Sequence, residues 1–157
     1  MRILNPPLLA TAAALCLGIG VSLTANAEDF KQTTEAVTVA YEGPSVRSTK
    51  LFLYSRGTPL ELLVTIEGWY KVRDAQDALV WVEKRALSDR SNVVVKSLGP
   101  VDVMTAPDAN SRVAFRVDSG VLLSLVSPPT AATGAFVQVR HRDGQTGFVR
   151  IDALFGV

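Results

Sequence analysis

The chain has 157 residues with 16 basic and 15 acidic side chains, one histidine and one cysteine. Residues 1–27 hold a single charge, Arg2, so the remaining chain has 15 basic and 15 acidic side chains and is neutral. A neutral chain is poorly suited to binding duplex nucleic acid, because that affinity comes largely from neutralising phosphates. Since Cys16 lies within residues 1–27 and His141 is the one histidine, the remaining chain lacks a thiol nucleophile and the ligand set of ordinary structural zinc sites.

Residues 1–27 have the organisation of a secretory signal peptide. An apolar run extends through Val21, and the segment ends in Ala25-Asn26-Ala27, a small-x-small pattern typical of signal-peptide cleavage. Pro6-Pro7 and the short apolar core argue against an uncleaved anchor. The residues before Cys16 do not form the acylation motif of a lipoprotein. We therefore expect cleavage after this segment, a periplasmic or secreted protein, and no stable membrane span after cleavage.

Residues 28–36 are predicted to be a polar leader with no fold of its own. From Val37 onward, turn residues interrupt short apolar runs every 8–15 residues, which is typical of the short strands of small β-barrels. Only residues 83–88 could form a helical turn. The pattern predicts an all-β fold, with the first strands at Val39, Leu51–Leu53, Leu60–Val64 and Tyr70–Val72.

An internal repeat divides the chain after the leader into two modules. The segment Trp69–Arg73 recurs 67 residues later as Phe136–Arg140, and the same offset relates Trp81-Val82 to Phe148-Val149. Upstream segments repeat at an offset of 63, and the difference of four falls in a longer loop at residues 128–134. A repeat of this size indicates two related units. We predict module 1 at residues 37–90, a connecting strand or linker at 91–99, and module 2 at 100–157.

The first module resembles the bacterial SH3-like (SH3b) domain. Four of its segments match the pattern of that family, namely Gly43-Pro44-Ser45, Arg56–Leu63, Gly68–Arg73 and Val80-Trp81-Val82. The second module is more divergent, because phenylalanine replaces both tryptophans. The resemblance implies two tandem SH3-like small barrels, each five-stranded and partly open. It also implies a ligand class, which is cell-wall glycan or peptide, or another protein of the envelope.

The spacing of residues 69–83 predicts a hairpin in which Arg73 pairs with Leu79. Because side chains alternate along strands, Trp69, Lys71, Arg73 and Trp81 then share the face opposite the core. Paired aromatics beside cations suit an extended peptide or a sugar ring with a carboxylate, so these four are candidate ligand-binding residues. Alternatively, the two tryptophans pack under a loop or against the other module. The equivalent secondary surface of module 2 consists of Phe136, Arg140, Phe148 and Arg150.

No catalytic or metal site is predicted, so we expect no enzyme activity, no cofactor and no bound metal. His141 falls at a solvated hairpin tip that offers no preformed oxyanion hole. The carboxylates of Asp74, Asp77 and Glu83 fall in polar turns, where burial would not raise a pKa. Four basic residues of module 2 either attract a carboxylate or form an ordinary solvated face: Arg140, His141, Arg142 and Arg150.

Two functions fit these expectations. The first is a non-catalytic exported binding protein, whose SH3-like barrels recognise cell-wall material or an envelope protein or peptide. The second is a structural or regulatory subunit that docks on a larger envelope enzyme. Exposure of Trp69 and Trp81 in one concave patch would favour the first function, and their burial between the modules would favour the second. Because module 2 has Phe136 and Phe148 in place of the tryptophans, we predict that module 1 holds the ligand surface and module 2 stabilises it.

Overall fold

The structure is a computed structural model that describes residues 29–157, so the predicted signal peptide and its cleavage site lie outside the described residues. Within that range the chain forms two antiparallel seven-stranded sheets, and the predicted all-β fold with two units is confirmed. No helix in residues 29–157 has the length and apolar character needed to cross a bilayer.

The first sheet contains β1 (Phe30–Thr33), β2 (Val37–Tyr41), β3 (Lys50–Ser55), β4 (Pro59–Ile66), β5 (Trp69–Arg73), β6 (Leu79–Glu83) and β7 (Leu87–Asp89). The second contains β8 (Asn92–Val95), β9 (Val101–Met104), β10 (Val113–Val117), β11 (Leu122–Ser127), β12 (Phe136–Arg140), β13 (Thr146–Arg150) and β14 (Leu154–Phe155). A 3-10 turn precedes the last strand of each sheet, at Lys84–Ala86 and Ile151–Ala153.

The two sheets have the same strand order. It is β3-β2-β6-β5-β4-β1-β7 in the first sheet and β10-β9-β13-β12-β11-β8-β14 in the second, so each strand has a counterpart seven numbers later. The strands β4 and β11 even share a register shift at the same point, between Leu62 and Val64 and between Leu125 and Ser127. The two units therefore have one topology, down to a local irregularity in the pairing.

The core of each unit is mainly aliphatic and lies on the inner face of its sheet. The first core contains Ala40, Tyr54, Leu60, Val72, Val80, Val82 and Ala86. The second contains Val93, Val95, Val103, Val117, Leu123, Val137, Val139 and Val149. The predicted register of the central hairpin is confirmed, because Arg73 pairs with Leu79 and Val72 with Val80.

The hairpin turns of the two units use the same backbone conformation with different residues. Asp77 has a φ of 65°, and Gly144, its counterpart 67 residues later, has a φ of 94°. Glycine adopts this left-handed region without steric cost, and aspartate is one of the few other residues that tolerate it. The turn conformation thus explains why the loop of module 2 contains a glycine at this position.

The prediction that residues 28–36 are a polar leader with no fold of its own is wrong for Phe30–Thr33. Strand β1 pairs with both β4 and β7, and its Phe30 and Thr33 are buried. Residues 91–99 do contain the predicted strand, at Asn92–Val95, but the prediction that it connects the modules is wrong. Strand β8 pairs with β11 and β14, both of the second sheet. Each unit therefore begins with its own inner strand, and the boundary falls at the two residues between β7 and β8.

The two units contact each other through an apolar cluster of their own. The rings of Phe30 and Phe155 meet edge to face with centroids 5.1 Å apart, and Val94 completes the buried cluster. At the margin, Lys96 Nζ lies 3.2 Å from a carboxylate oxygen of Asp77, which belongs to the first unit. Burial of apolar side chains and an ion pair thus join the units directly.

Two glycines allow the units to approach closely. A Cβ at Gly57 would lie 2.4 Å from the side-chain nitrogen of Asn92, which in turn donates to the Gly57 carbonyl at 3.3 Å. A Cβ at Gly156 would lie 2.8 Å from the Cβ of Pro59. Both glycines have positive φ, so neither position accommodates a larger residue without strain.

Candidate functional site

The candidate ligand-binding residues of module 1 lie on the outer face of the β5–β6 hairpin, as predicted. Lys71 pairs with Trp81 across the two strands, and Trp69 pairs with Glu83. All four side chains are half-buried. Neither tryptophan belongs to the apolar cluster between the units, which consists of other residues. The two indoles are therefore part of the outer surface of the first unit.

A third aromatic residue, Tyr41, completes this surface. Its ring meets the Trp69 indole edge to face, with centroids 5.4 Å apart and planes at 90°, and its backbone pairs with Trp81. Tyr41 is buried, so its ring packs against the Trp69 indole rather than facing solvent. Tyr41 is not among the residues predicted from the sequence. The alternation in β2 could have found it, because its neighbour Ala40 points into the core.

Exposed aliphatic residues extend the aromatic surface along β4. Ile66 pairs with Trp69 and Val64 pairs with Lys71, so all four side chains share the outer face. Ile66 is 39% exposed and Val64 is 43% exposed. We call the surface formed by Tyr41, Val64, Ile66, Trp69, Lys71 and Trp81 the aromatic face. It offers flat rings, aliphatic flanks and one ammonium group. Among residues 29–157, that ammonium has neither a hydrogen-bond nor an ion-pair partner.

Arg73 lies on the same side of β5, but its guanidinium is already engaged. Its Nε donates to Oε2 of Glu61 at 2.6 Å, and its Nη2 donates to Oε1 at 2.8 Å. The carboxylate is almost completely buried, with 9% of the Glu61 side chain exposed. A bidentate pair of this kind has a fixed geometry and is among the strongest ion pairs in proteins. The pairing makes Arg73 a structural residue of the sheet, and Lys71 supplies the cation of the aromatic face.

Asp74 is also structural, and the expectation that it is a solvated turn residue is wrong. It is 4% exposed, accepts a hydrogen bond from the Tyr54 hydroxyl at 2.8 Å, and caps the hairpin by accepting from the backbone N–H of Gln76 and Ala78. Burial, and secondarily the hydrogen bond to Asp74, raises the pKa of Tyr54. Three donors therefore hold this carboxylate in place.

The predicted secondary surface of module 2 is not a single site in the structure. Phe136 is buried and pairs with Arg150, whereas Arg140 lies at the other end of β12 and pairs with Thr146. The half-buried Phe148 pairs with Gln138 and, on its other side, with Met104. The Arg150 guanidinium is bound to Asp152 at 2.6 Å, and this hydrogen bond lowers the pKa of Asp152.

The counterpart of the aromatic face in module 2 is a cavity of about 370 Å³. Met104 and Phe136 line it at the positions that Tyr41 and Trp69 occupy in module 1, together with Arg150. The second unit thus has a groove at the equivalent place, with a thioether and a phenyl ring where the first has a phenol and an indole.

The four basic residues of module 2 separate into two groups. Arg150 belongs to the groove just described, whereas Arg140, His141 and Arg142 line another cavity, of about 530 Å³. His141 Nδ1 lies 3.0 Å from a carboxylate oxygen of Asp143. No group of three or more metal-ligating side chains occurs within residues 29–157.

Comparisons with known proteins give one family match, which covers the first unit. No curated protein matches the chain. The solved structures of NlpC2 and NlpC1 from Trichomonas vaginalis are similar to 82% and 85% of this chain, at 15% and 14% identity and TM-scores of 0.37 and 0.38. The chain spans about half the length of these two proteins, 48% and 47%. Residues 35–89, which hold strands β2 to β7 and the whole aromatic face, match the family model of the bacterial SH3 domain.

Proposed function

We propose that this chain is an exported, non-catalytic binding protein that recognises cell-wall material through the aromatic face of its first unit. The observation that carries the proposal is the cluster of Tyr41, Trp69 and Trp81 beside the unpaired ammonium of Lys71. Indole rings stack on the apolar faces of sugars and peptides, and an adjacent cation suits the carboxylates of such polymers. The family match supports this ligand class, because it covers the residues of the aromatic face.

The second unit is, in this proposal, a divergent copy of the same domain that stabilises the first. The strand order that the two units share, and the register shift common to β4 and β11, support the view that the units are related copies. The second unit's phenylalanine at the position of Trp69 is buried, with 8% exposed, so it offers little surface to a ligand. Export rests on the predicted signal peptide. The non-catalytic role is supported by the structural engagement of Glu61 and Asp74, the buried carboxylates of the first unit.

Retention on purified peptidoglycan tests the proposal directly. We expect the wild-type protein to sediment with peptidoglycan, and Trp69→Ala and Lys71→Gln each to reduce retention at least about tenfold, as is common for central binding residues. The matched control is Phe148→Ala, which removes a half-buried aromatic at the position equivalent to Trp81, in the second unit, and should leave retention unchanged. Equal retention of wild type and Trp69→Ala, with both folded by circular dichroism, would contradict the proposal.

A docking role on a larger envelope protein is favoured by a different observation. The edge strand β3 has three consecutive exposed apolar residues, Leu51, Phe52 and Leu53, which are 43%, 46% and 68% exposed. An edge strand with unpaired backbone groups and apolar side chains can pair with a strand of another protein. This alternative predicts no retention on peptidoglycan. It also predicts co-purification with an envelope protein that Leu53→Lys abolishes while Trp69→Ala does not.

A further inference from the structure

A comparison of the two units reveals an unmatched cation in the second. In the first sheet, three directly paired residues form a row across β1, β4 and β5, namely Phe30, Glu61 and Arg73. The middle residue supplies the buried carboxylate that receives both hydrogen bonds of the Arg73 guanidinium, at 2.6 and 2.8 Å. The first unit therefore neutralises this arginine internally.

The same row in the second sheet has no carboxylate. Its residues across β8, β11 and β12 are Asn92, Ser124 and Arg140. The Ser124 hydroxyl donates to the side-chain oxygen of Asn92 at 3.2 Å, so it is directed away from the arginine. Among residues 29–157, the Arg140 guanidinium has no hydrogen-bond or ion-pair partner, in contrast to that of Arg73. Serine thus stands where the first unit has the glutamate that satisfies its arginine.

A cavity of about 530 Å³ opens at this place in the second unit. Ser124 and Arg140 line it together with Arg142, which likewise has no polar partner within residues 29–157. His141 also lines the cavity, with its Nδ1 3.0 Å from a carboxylate oxygen of Asp143, and the two guanidinium groups supply permanent positive charge. Leu122 contributes an apolar wall. The cavity therefore combines two free cations with space and an aliphatic surface.

We propose that this cavity binds the carboxylate of an external ligand at the place that the Glu61 carboxylate occupies in the first unit. A guanidinium presents parallel N–H donors whose geometry matches a carboxylate, so Arg140 receives the ligand as Arg73 receives Glu61. Arg142 adds a second positive charge, and Leu122 contacts a short aliphatic stem. The ligand class is a carboxylate on such a stem, either a free acid or the end of a peptide. This site is separate from the aromatic face and does not depend on the proposed function.

Side-chain NMR of the arginines tests the site with small probes. We expect N-acetylalanylalanine to shift the Nε–H resonance of Arg140 in a saturable manner, and the same peptide with an amidated C-terminus to bind at least tenfold more weakly. Acetate distinguishes the two sources of the carboxylate. Acetate binding equal to that of the peptide identifies a site for free acids, and tighter binding of the peptide identifies a site for chain ends. Inorganic phosphate that saturates the shift at a lower concentration than either carboxylate would overturn the assignment.

One substitution converts the second unit to the arrangement of the first. Ser124→Glu places a carboxylate opposite Arg140, so we expect the added peptide to bind at least tenfold more weakly, although no positive charge has been removed. Ser124→Gln has the same size without the charge and should retain binding. Arg140→Gln should abolish binding, and Trp69→Ala should leave it at the wild-type level. The proposal is wrong if folded Ser124→Glu and Ser124→Gln bind the peptide equally well.

Discussion

The contact between Phe30 and Phe155 should make the two units unfold as one body. Phe155 belongs to the second sheet, is 9% exposed, and meets Phe30 of the first sheet edge to face. Phe155→Ala removes this aromatic pair and leaves a cavity, so the free energy of unfolding should fall by about 3 kcal/mol. With a urea m-value of about 2 kcal/mol/M, the unfolding midpoint should fall by about 1.5 M. Phe155→Leu keeps most of the apolar area and should recover more than half of the loss.

The location of the two tryptophans makes the assay specific. Trp69 and Trp81 both lie in the first unit, so tryptophan fluorescence follows that unit alone, whereas far-UV circular dichroism follows both. We expect the two signals to coincide in the wild type, and the fluorescence midpoint to fall in Phe155→Ala although the substitution is in the second unit. If the fluorescence midpoint stays at the wild-type value while the dichroism changes, the contact does not couple the units and the reasoning fails.

Three further predictions concern stability. Glu61→Gln removes the charge of a buried bidentate pair and should lower the free energy of unfolding in urea by about 2 kcal/mol. This loss is smaller than that of a fully buried ion pair, because the Arg73 guanidinium is partly exposed. An unchanged midpoint would show that the pair contributes nothing. Gly156→Ala should destabilise by at least about 1 kcal/mol more than Gly120→Ala, because both have positive φ but only the Cβ at Gly156 collides with Pro59; equal losses would contradict the close approach. Tyr54→Phe should cost about 1–2 kcal/mol at pH 7. Because burial raises the pKa of Tyr54, the folded wild type holds the hydroxyl proton more tightly than the unfolded chain does. The wild type should therefore lose stability as the pH rises above about 10. The phenylalanine variant should lack that alkaline loss in thermal melts at about pH 9 to 11.

The sequence predicted features that depend on local alternation. The spacing between Trp69 and Trp81, with a short turn between the strands, fixed the register of the central hairpin and placed both indoles on the outer face. Alternation requires only neighbouring residues, so it can be read without knowing the rest of the fold. The same reasoning placed Phe136 outside the second core, where the structure also has it.

Features that depend on distant strands could not be predicted in this way. Strand β1 has one apolar residue, Phe30, and its partners β4 and β7 follow far along the chain, so its own composition does not reveal the pairing. The burial of Glu61 and Asp74 likewise arises from partners in other strands, Arg73 and Tyr54. From the sequence, Glu61 between its two leucine neighbours is expected to be solvent-exposed. Only the tertiary structure shows the cation that pairs with it.

The close joint between the units has a consequence for any ligand that contacts both. Only two residues separate β7 from β8, and the glycines at 57 and 156 let the units touch without a tether. A flexible linker would let two sites search a volume, and the second contact would then form over a range of ligand spacings. With this joint the aromatic face and the Arg140 cavity are held at one separation. A polymer with matching spacing gains a high effective concentration for its second contact, and one with another spacing gains none. The joint would therefore make the protein sensitive to the distance between chemical groups along a chain, in addition to their identity.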